Sequence, residues 1–299
     1  ECMRIVVIGA SGLMGGRVTD ALRARGDEVL TVGRREPDDS GFADARWTAA
    51  EGPLPKEITA GADAIVNLAG APVAGKRWTD AYKREIRDSR VETTAAVAES
   101  FGWEEGPSVL VNASAVGYYG ATDDEVDETN GSGEGFLARV AEQWEQAAQG
   151  ASDRGARVVM LRTSVVLDPR GGALEPIRRA TKLFAGGPIA GGRQWFPWIH
   201  HADATGLILH ALDRETLTGP INLVAPEAVR QARFARALGR ALNRPAVIPT
   251  PGFALRLLFG DGAEVLTTGV NAVPAQAREE GYTFIHPDLD GALAEIYGD

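Results

Sequence analysis

Arg4-Ile-Val-Val-Ile8 runs directly into Gly9-Ala10-Ser11-Gly12-Leu13-Met14-Gly15, and Leu13 to Arg25 continues at helical apolar spacing up to Gly26. A short β-branched run, a glycine turn and an amphipathic segment ended by glycine read as strand, turn and helix. GxxGxxG is weak as a bare pattern, but between a first strand and its helix it specifies a phosphate cradle. The glycines allow a tight turn, let backbone N–H groups approach a pyrophosphate at the positive end of the helix, and permit close helix–strand packing. Gly9, Ala10, Ser11, Gly12, Leu13, Met14 and Gly15 are therefore expected to bind a dinucleotide.

The same alternation continues outward from this unit. Glu28 to Val32, Ala64 to Ala69, Ser108 to Ala113, Arg157 to Arg162 and Ile221 to Val224 read as strands; Thr79 to Ser100, Gly135 to Gln149, Ala202 to Leu212 and Ala228 to Leu242 read as helices. The strand runs lack a polar face, as suits parallel strands covered by helices on both sides. The expected fold is α/β, a Rossmann-type doubly wound parallel sheet with a smaller C-terminal substrate-binding part. A nucleotide-binding domain over residues 3–165, its sheet completed by parts of 200–225, precedes a mainly substrate-binding part over 166–299. From Asp168 to Ile199 glycine, proline and aromatic residues cluster, which reads as ordered loop, and helices are expected near Phe253 to Leu266 and Asp288 to Ile296.

An acidic residue after the second strand ordinarily holds the adenosine ribose hydroxyls, whereas this chain carries Gly33-Arg34-Arg35 there. Guanidinium forks pair with phosphate oxygens, so the expected cofactor is NADP(H), with Arg34 as the main contact to its 2′-phosphate and Arg35 beside it. Asn67, Leu68, Ala69 and Gly70 follow another strand and are expected to line the cofactor.

The 299 residues carry 31 basic and 41 acidic side chains, a net charge of -10, without long like-charge blocks, which disfavours a nucleic-acid partner. The single cysteine, Cys2, has no internal disulfide partner, no apolar run approaches membrane-spanning length, and the first strand leaves no room for a signal segment. These features suggest a cytoplasmic protein with a small-molecule substrate and no membrane association. No sustained heptad marks an oligomer interface, so the oligomeric state stays open.

The glycine motif, Asn67-Leu-Ala-Gly70 and Ser114-Ala-Val-Gly-Tyr118-Tyr119-Gly120 together resemble the extended short-chain dehydrogenases/reductases, the fold of nucleotide-sugar epimerases and dehydratases. Arg77-Trp78, Ile86-Arg-Asp-Ser-Arg-Val91, Trp198-Ile-His200, Leu255-Arg-Leu-Leu-Phe-Gly260 and Pro287-Asp-Leu-Asp-Gly-Ala-Leu293 narrow the resemblance to the atypical "epimerase family protein" subfamily. That subfamily is sometimes described as similar to a cell-division inhibitor. The resemblance runs end to end, includes the characteristic segment at about 249–297, and implies a Rossmann fold and NADP(H) binding.

Short-chain dehydrogenases normally pair Tyr-x-x-x-Lys on one helical face, the lysine lowering the tyrosine pKa for proton exchange. No Tyr-x-x-x-Lys occurs in this chain, and Phe136 or Leu137 stands where the resemblance would place the tyrosine. Ser114 matches the family serine that polarises a substrate oxygen, and Tyr118 or Tyr119 could replace the missing proton donor. The competing reading has Ser114 turning the chain while both tyrosines pack.

Arg193, Trp195, Trp198 and His200 are the candidates to line a substrate pocket for a flat or anionic molecule, although aromatic residues in a loop more often form a packed satellite core. Arg87 and Arg90 share one helix face, toward ligand or toward water. His200 and His201 precede Asp203, but adjacent side chains usually diverge and no metal site is expected. Two functions follow: an NADP(H)-dependent oxidoreductase or epimerase-like enzyme, or a non-catalytic NADP(H)-binding redox sensor or regulator.

Overall fold

A computed structural model describes residues 2–37, 43–74 and 76–298. In chain order the first half comprises β1 (Arg4–Ile8), α1 (Leu13–Arg25), β2 (Glu28–Gly33), β3 (Ala45–Arg46), α2 (Lys56–Thr59), β4 (Ala64–Asn67), α3 (Asp80–Ala98), β5 (Val109–Ala115), β6 (Thr122–Val126) and α4 (Phe136–Ser152). The second half comprises β7 (Arg157–Thr163), β8 (Val165–Leu167), α5 (Leu174–Lys182), β9 (Trp198–His200), α6 (His201–Asp213), β10 (Gly219–Leu223), α7 (Gln231–Ala241), α8 (Gly252–Phe259), α9 (Glu264–Thr267), β11 (Val270–Ala272), α10 (Ala275–Glu279) and α11 (Leu289–Tyr297).

Seven strands form one parallel sheet in the order β10-β7-β5-β4-β1-β2-β3. Successive strand residues point to opposite faces, and here both faces are buried. Ile5, Val7, Val66, Val111 and Leu161 pack with Val18 and Leu22 of α1 and Leu207 and Ile208 of α6. Val6, Ile8, Ile65, Leu110 and Val158 pack on the other side with Ile58, Val97, Ala148 and Ala151. That double burial explains why the strand runs carry no polar face.

The connections from β1 diverge, one leading to β2 and the chain then crossing back so that β4 pairs on the other side of β1. Open α/β sheets bind ligands outside the carboxyl ends of the strands at such a switch point. The Gly9 turn and the Asn67 to Gly70 segment both lie there.

Two expectations require correction. The segment read as loop from Asp168 to Ile199 contains α5, whose Leu174 is fully buried, and ends in β9, which pairs with β8. Its glycine and proline content belongs to the connection between those elements, not to the whole segment. The helix expected near Phe253 to Leu266 is broken: α8 stops at Phe259, a short 3-10 turn spans Asp261–Ala263, and α9 follows. Gly260, at φ +59, interrupts the apolar run.

Candidate functional site

The glycine loop is shaped by backbone proximity. Gly9 adopts φ +86, and a Cβ on it would stand 3.0 Å from Ala69 N, so the turn after β1 lies against the segment after β4. At Gly15 a Cβ would collide with the carbonyl oxygen of Gly9. Gly12 caps α1 in extended conformation without a side-chain cap, while Ser11 and Gly12 are exposed and Leu13 and Met14 half-buried. First-turn N–H groups of a 13-residue helix thus face the crevice, an arrangement that favours anions. Arg34 and Arg35 are exposed just beyond β2; residues 38–42, which follow, lie outside the described residues.

Asn67 is fully buried, and its Nδ2 donates to Thr94 Oγ1 at 3.1 Å and to Asn112 Oδ1 at 2.8 Å. Its Oδ1 accepts Ala69 N at 3.3 Å, while Trp144 Nε1 donates to Thr94 Oγ1 at 2.9 Å. This network fixes the half-buried Leu68 and Ala69 and the exposed Gly70. Asn67 holds the segment from beneath; its neighbours form the surface.

Ser114, Tyr118 and Tyr119 do converge, on two residues that sequence reasoning missed. Ser114 Oγ donates to Glu145 Oε1 at 2.7 Å, and Arg162 grips the same carboxylate through Nε at 2.8 Å and Nη2 at 2.9 Å. Arg162 Nη1 donates to Tyr119 Oη at 2.9 Å, and Tyr119 donates onward to Asn222 Oδ1 at 2.8 Å. The Arg162 guanidinium also lies 3.6 Å from the Tyr118 ring centroid. Desolvation, the largest influence, works against the Arg162 charge, but the hydrogen bonds and charge of Glu145, with Tyr119, outweigh it and raise its pKa. Burial pushes the Tyr119 hydroxyl up to about 12, so it remains protonated and tied into the network. Tyr118 is half-buried, with no hydrogen bond from its hydroxyl among the described residues.

A signal for Glu145 and Arg162 was present. Ala138, Ala141, Glu145 and Ala148 follow one helical stripe that is otherwise apolar, and Arg162 interrupts the buried run of β7. Buried charges require partners, so an acid and a base each on an apolar face should have been paired.

Four residues on from Phe136 and Leu137, where a lysine would complete the family pair, stand Val140 and Ala141, both buried. Phe136 instead meets Trp78 edge-on, with ring centroids 5.2 Å apart. These two rings, with Lys83, Arg256, Asp261 and Glu264, line a cavity of about 430 Å³ between α3, α4 and the C-terminal segment. Lys83 is paired with Asp261 at 2.5 Å.

The four residues expected to line a substrate pocket do not share a cavity. Arg193 is exposed; Trp195 lies under Arg230, 3.7 Å from ring centroid to guanidinium, and donates to the Asp123 carbonyl. Trp198 is 1% exposed within a core with Phe234, Leu238, Leu289 and Leu293, and its Nε1 donates to the Glu227 carbonyl. The void beside Trp195 and Trp198 measures about 10 Å³, at the lower limit for one water. Burial and specific hydrogen bonds make this aromatic cluster packing.

His200 and His201 do not diverge as adjacent side chains usually do. Their ring centroids are 4.2 Å apart, and the ring of His286, tilted by 46°, has its centroid 3.8 Å from that of His200. His200, His201 and Glu295 bring three donor atoms within 4.8 Å of one another, a grouping that could hold a cation. The hydrogen bonds oppose it. His200 Nδ1 accepts Ala202 N as the cap of α6, which leaves the ring proton on Nε2, 2.9 Å from Glu295 Oε2. Metal-bound histidines normally donate from their other nitrogen, which this tautomer cannot do. Among the described residues no helix is long and apolar enough to cross a membrane.

With this geometry established, the comparisons with known proteins agree on lineage. The model described as "NAD dependent epimerase/dehydratase family" matches residues 5–223, and a domain of unknown function matches residues 250–296. An epimerase family protein of Mycobacterium tuberculosis is 40% identical over 295 residues, covering 97% of this chain and 96% of that one. A crystal structure of the human epimerase family protein SDR39U1 with NADPH superposes with TM-score 0.90 at 36% identity, covering 99% of both chains. A nucleoside-diphosphate sugar epimerase structure from Corynebacterium glutamicum gives TM-score 0.81 at 31% identity, covering all of this chain and 59% of that one. By the extent of these matches the chain belongs to the NAD dependent epimerase/dehydratase family.

Proposed function

We propose that this protein is an NADP(H)-dependent oxidoreductase acting on an uncharged, ring-bearing alcohol, ketone or quinone. The observation carrying the reading is the Ser114–Glu145 hydrogen bond at 2.7 Å, backed by Arg162, beside the cofactor crevice. The glycine cradle and exposed Arg34 and Arg35 fit a dinucleotide with a 2′-phosphate, and NADPH is the ligand named for the similar human structure. NADP(H), when bound, supplies or accepts the hydride.

In the oxidative direction a substrate hydroxyl donates its proton to Ser114 Oγ while Ser114 passes its own proton to Glu145 Oε1. In reduction the proton travels back along the same path to the carbonyl oxygen. Arg162 orients the carboxylate, while Tyr119 and Asn222 fix Arg162. Tyr118, from the same loop, lays its half-exposed ring on Arg162 and so helps to hold the guanidinium in place. A serine wired to a buried carboxylate thus replaces the tyrosine–lysine pair as the proton path.

The cavity beside Phe136 supports the substrate class. Two cations, Lys83 and Arg256, are balanced by two carboxylates, Asp261 and Glu264, between aromatic walls. A nucleoside diphosphate sugar needs excess cation at its phosphates, which this cavity does not offer. The test is stereospecifically deuterated NADPH with a panel of ketones, quinones and nucleotide sugars. Deuterium should enter a ketone or quinone product with the native protein and fail to do so with Ser114→Ala. Absence of transfer across the panel, together with partner binding that differs between the NADPH and NADP⁺ forms, would replace the enzyme with a redox sensor.

A further inference from the structure

Residues 176–202 and 228–260 hold ten of the chain's 31 basic side chains and none of its 41 acidic ones. Five of the ten pair with carboxylates outside these stretches, those of Glu175, Asp123 and Asp290. Lys182, Arg193, Arg236, Arg244 and Arg256 are exposed and form no ion pair among the described residues. In a chain of net charge -10 this is where an anionic partner meets least repulsion.

The same stretches carry exposed apolar side chains. Among the described residues eight large hydrophobics stand more than half exposed, and all but Ile285 fall within them. Leu183 and Phe184 follow α5, Val247 and Ile248 follow α7, and Phe253, Leu257 and Leu258 lie on α8. The backbone sets the two stretches side by side: Ile248 N donates to Gly186 O at 3.1 Å and Thr250 N to Pro188 O at 2.9 Å. The Arg244 guanidinium lies 5.2 Å from the Phe184 ring centroid, and Arg236, Arg240, Arg244 and Val247 line an open groove of about 480 Å³. On α8 only Leu255 is buried, which leaves Phe253, Arg256 and Leu257 outward. Arg77 Nη1 donates to Leu257 O at 2.8 Å and fixes that helix to the body.

We infer that this face attaches the protein to an anionic lipid surface, its apolar side chains entering the interface and its arginines pairing with lipid phosphates. Isolated exposed apolar residues are ordinary, whereas their coincidence with unpaired cations is the composition of an interfacial segment. A second copy related by twofold symmetry would set cations against cations. A protein partner would need a recess for each protruding side chain, whereas a lipid interface accepts them in any outline. The lack of a membrane-spanning helix among the described residues argues against crossing a bilayer, not against attachment at its surface.

Co-sedimentation of the full chain with vesicles of phosphatidylcholine alone, and of phosphatidylcholine with phosphatidylglycerol, tests this. The native protein should bind the phosphatidylglycerol vesicles, lose them as salt is raised, and leave pure phosphatidylcholine unbound. Phe253→Ser with Leu257→Ser, and separately Arg236→Gln with Arg244→Gln, should each weaken binding about tenfold or more. Arg84→Gln with Arg139→Gln, exposed arginines outside the face, should leave binding unchanged. Absence of vesicle binding would overturn the inference, as would equal binding to both lipid compositions or an equal loss in the Arg84 and Arg139 control. A native dimer that Phe253→Ser with Leu257→Ser converts to monomer, without vesicle binding, would assign the face to a second copy instead. If the serine pair does not fold, the arginine pair decides by the same comparisons.

Discussion

Ser114 Oγ and Glu145 Oε1 lie 2.7 Å apart in a buried setting, and the bond places the serine proton on a carboxylate that Arg162 already holds with two hydrogen bonds. A buried ion pair adds little stability over apolar packing, because desolvating both charges offsets their attraction. The proposed role of the pair is therefore chemical, through the serine attached to it.

Substitutions separate the two contributions. Ser114→Ala leaves the Glu145–Arg162 pair intact, so its thermal unfolding should stay close to native while substrate turnover falls by roughly 10²–10⁴-fold. Glu145→Ala leaves Arg162 buried without its partner and should cost about 3–5 kcal/mol in denaturant unfolding. Native turnover in Ser114→Ala would remove the serine from the proton path.

Gly15 is a steric requirement of the glycine loop, because any Cβ there meets the Gly9 carbonyl. Gly15→Ala should push α1 away from the turn, destabilise the protein by about 1–3 kcal/mol and weaken NADPH binding together with it. Native unfolding and native affinity in this variant would contradict the packing described.

The histidine cluster makes stability depend on pH. His201 is held down to about 4, first by burial and then by the charges of His200 and Arg17, and His200 is lowered as well, first by burial. An unfolded histidine takes its proton near pH 6.5, so between about 6.5 and 4 the unfolded chain binds more protons. This contribution to stability is whole above pH 6.5 and is lost as pH falls through that window. The drop in Tm from pH 7 to pH 4.5 should be smaller in His201→Gln than in the native protein; parallel curves would count against the assignment.

Trp198 tests packing against ligand contact. As a core residue of the C-terminal layer it should cost about 3–5 kcal/mol on replacement by alanine. A pocket wall would instead lose ligand affinity with little change in unfolding. Denaturant unfolding and NADPH titration of Trp198→Ala distinguish the two.

The fold was legible because each strand of the parallel sheet is a continuous apolar run and Gly9 to Gly15 stands in its proper context. α5 was not, because Leu174 to Lys182 is a single short amphipathic helix set among glycines and prolines. Ser114, Tyr118 and Tyr119 could be picked out by motif, but Glu145 lies 31 residues from the serine it binds. Arg162 comes from a different strand again, and only the order β7-β5 brings them together. Aromatic composition alone left the Trp198 cluster open between a pocket wall and a satellite core. Phe234, Leu289 and Leu293, which cover Trp198, arrive from distant helices.

Titration of NADPH against NADH, on nucleotide-free native protein and on Arg34→Ala, tests the central claim most directly. The native protein should bind NADPH clearly more tightly than NADH, and Arg34→Ala should lose that preference while still binding both. Equal affinity of the native protein for the two would reject the 2′-phosphate assignment, and binding of neither would contradict the account as a whole.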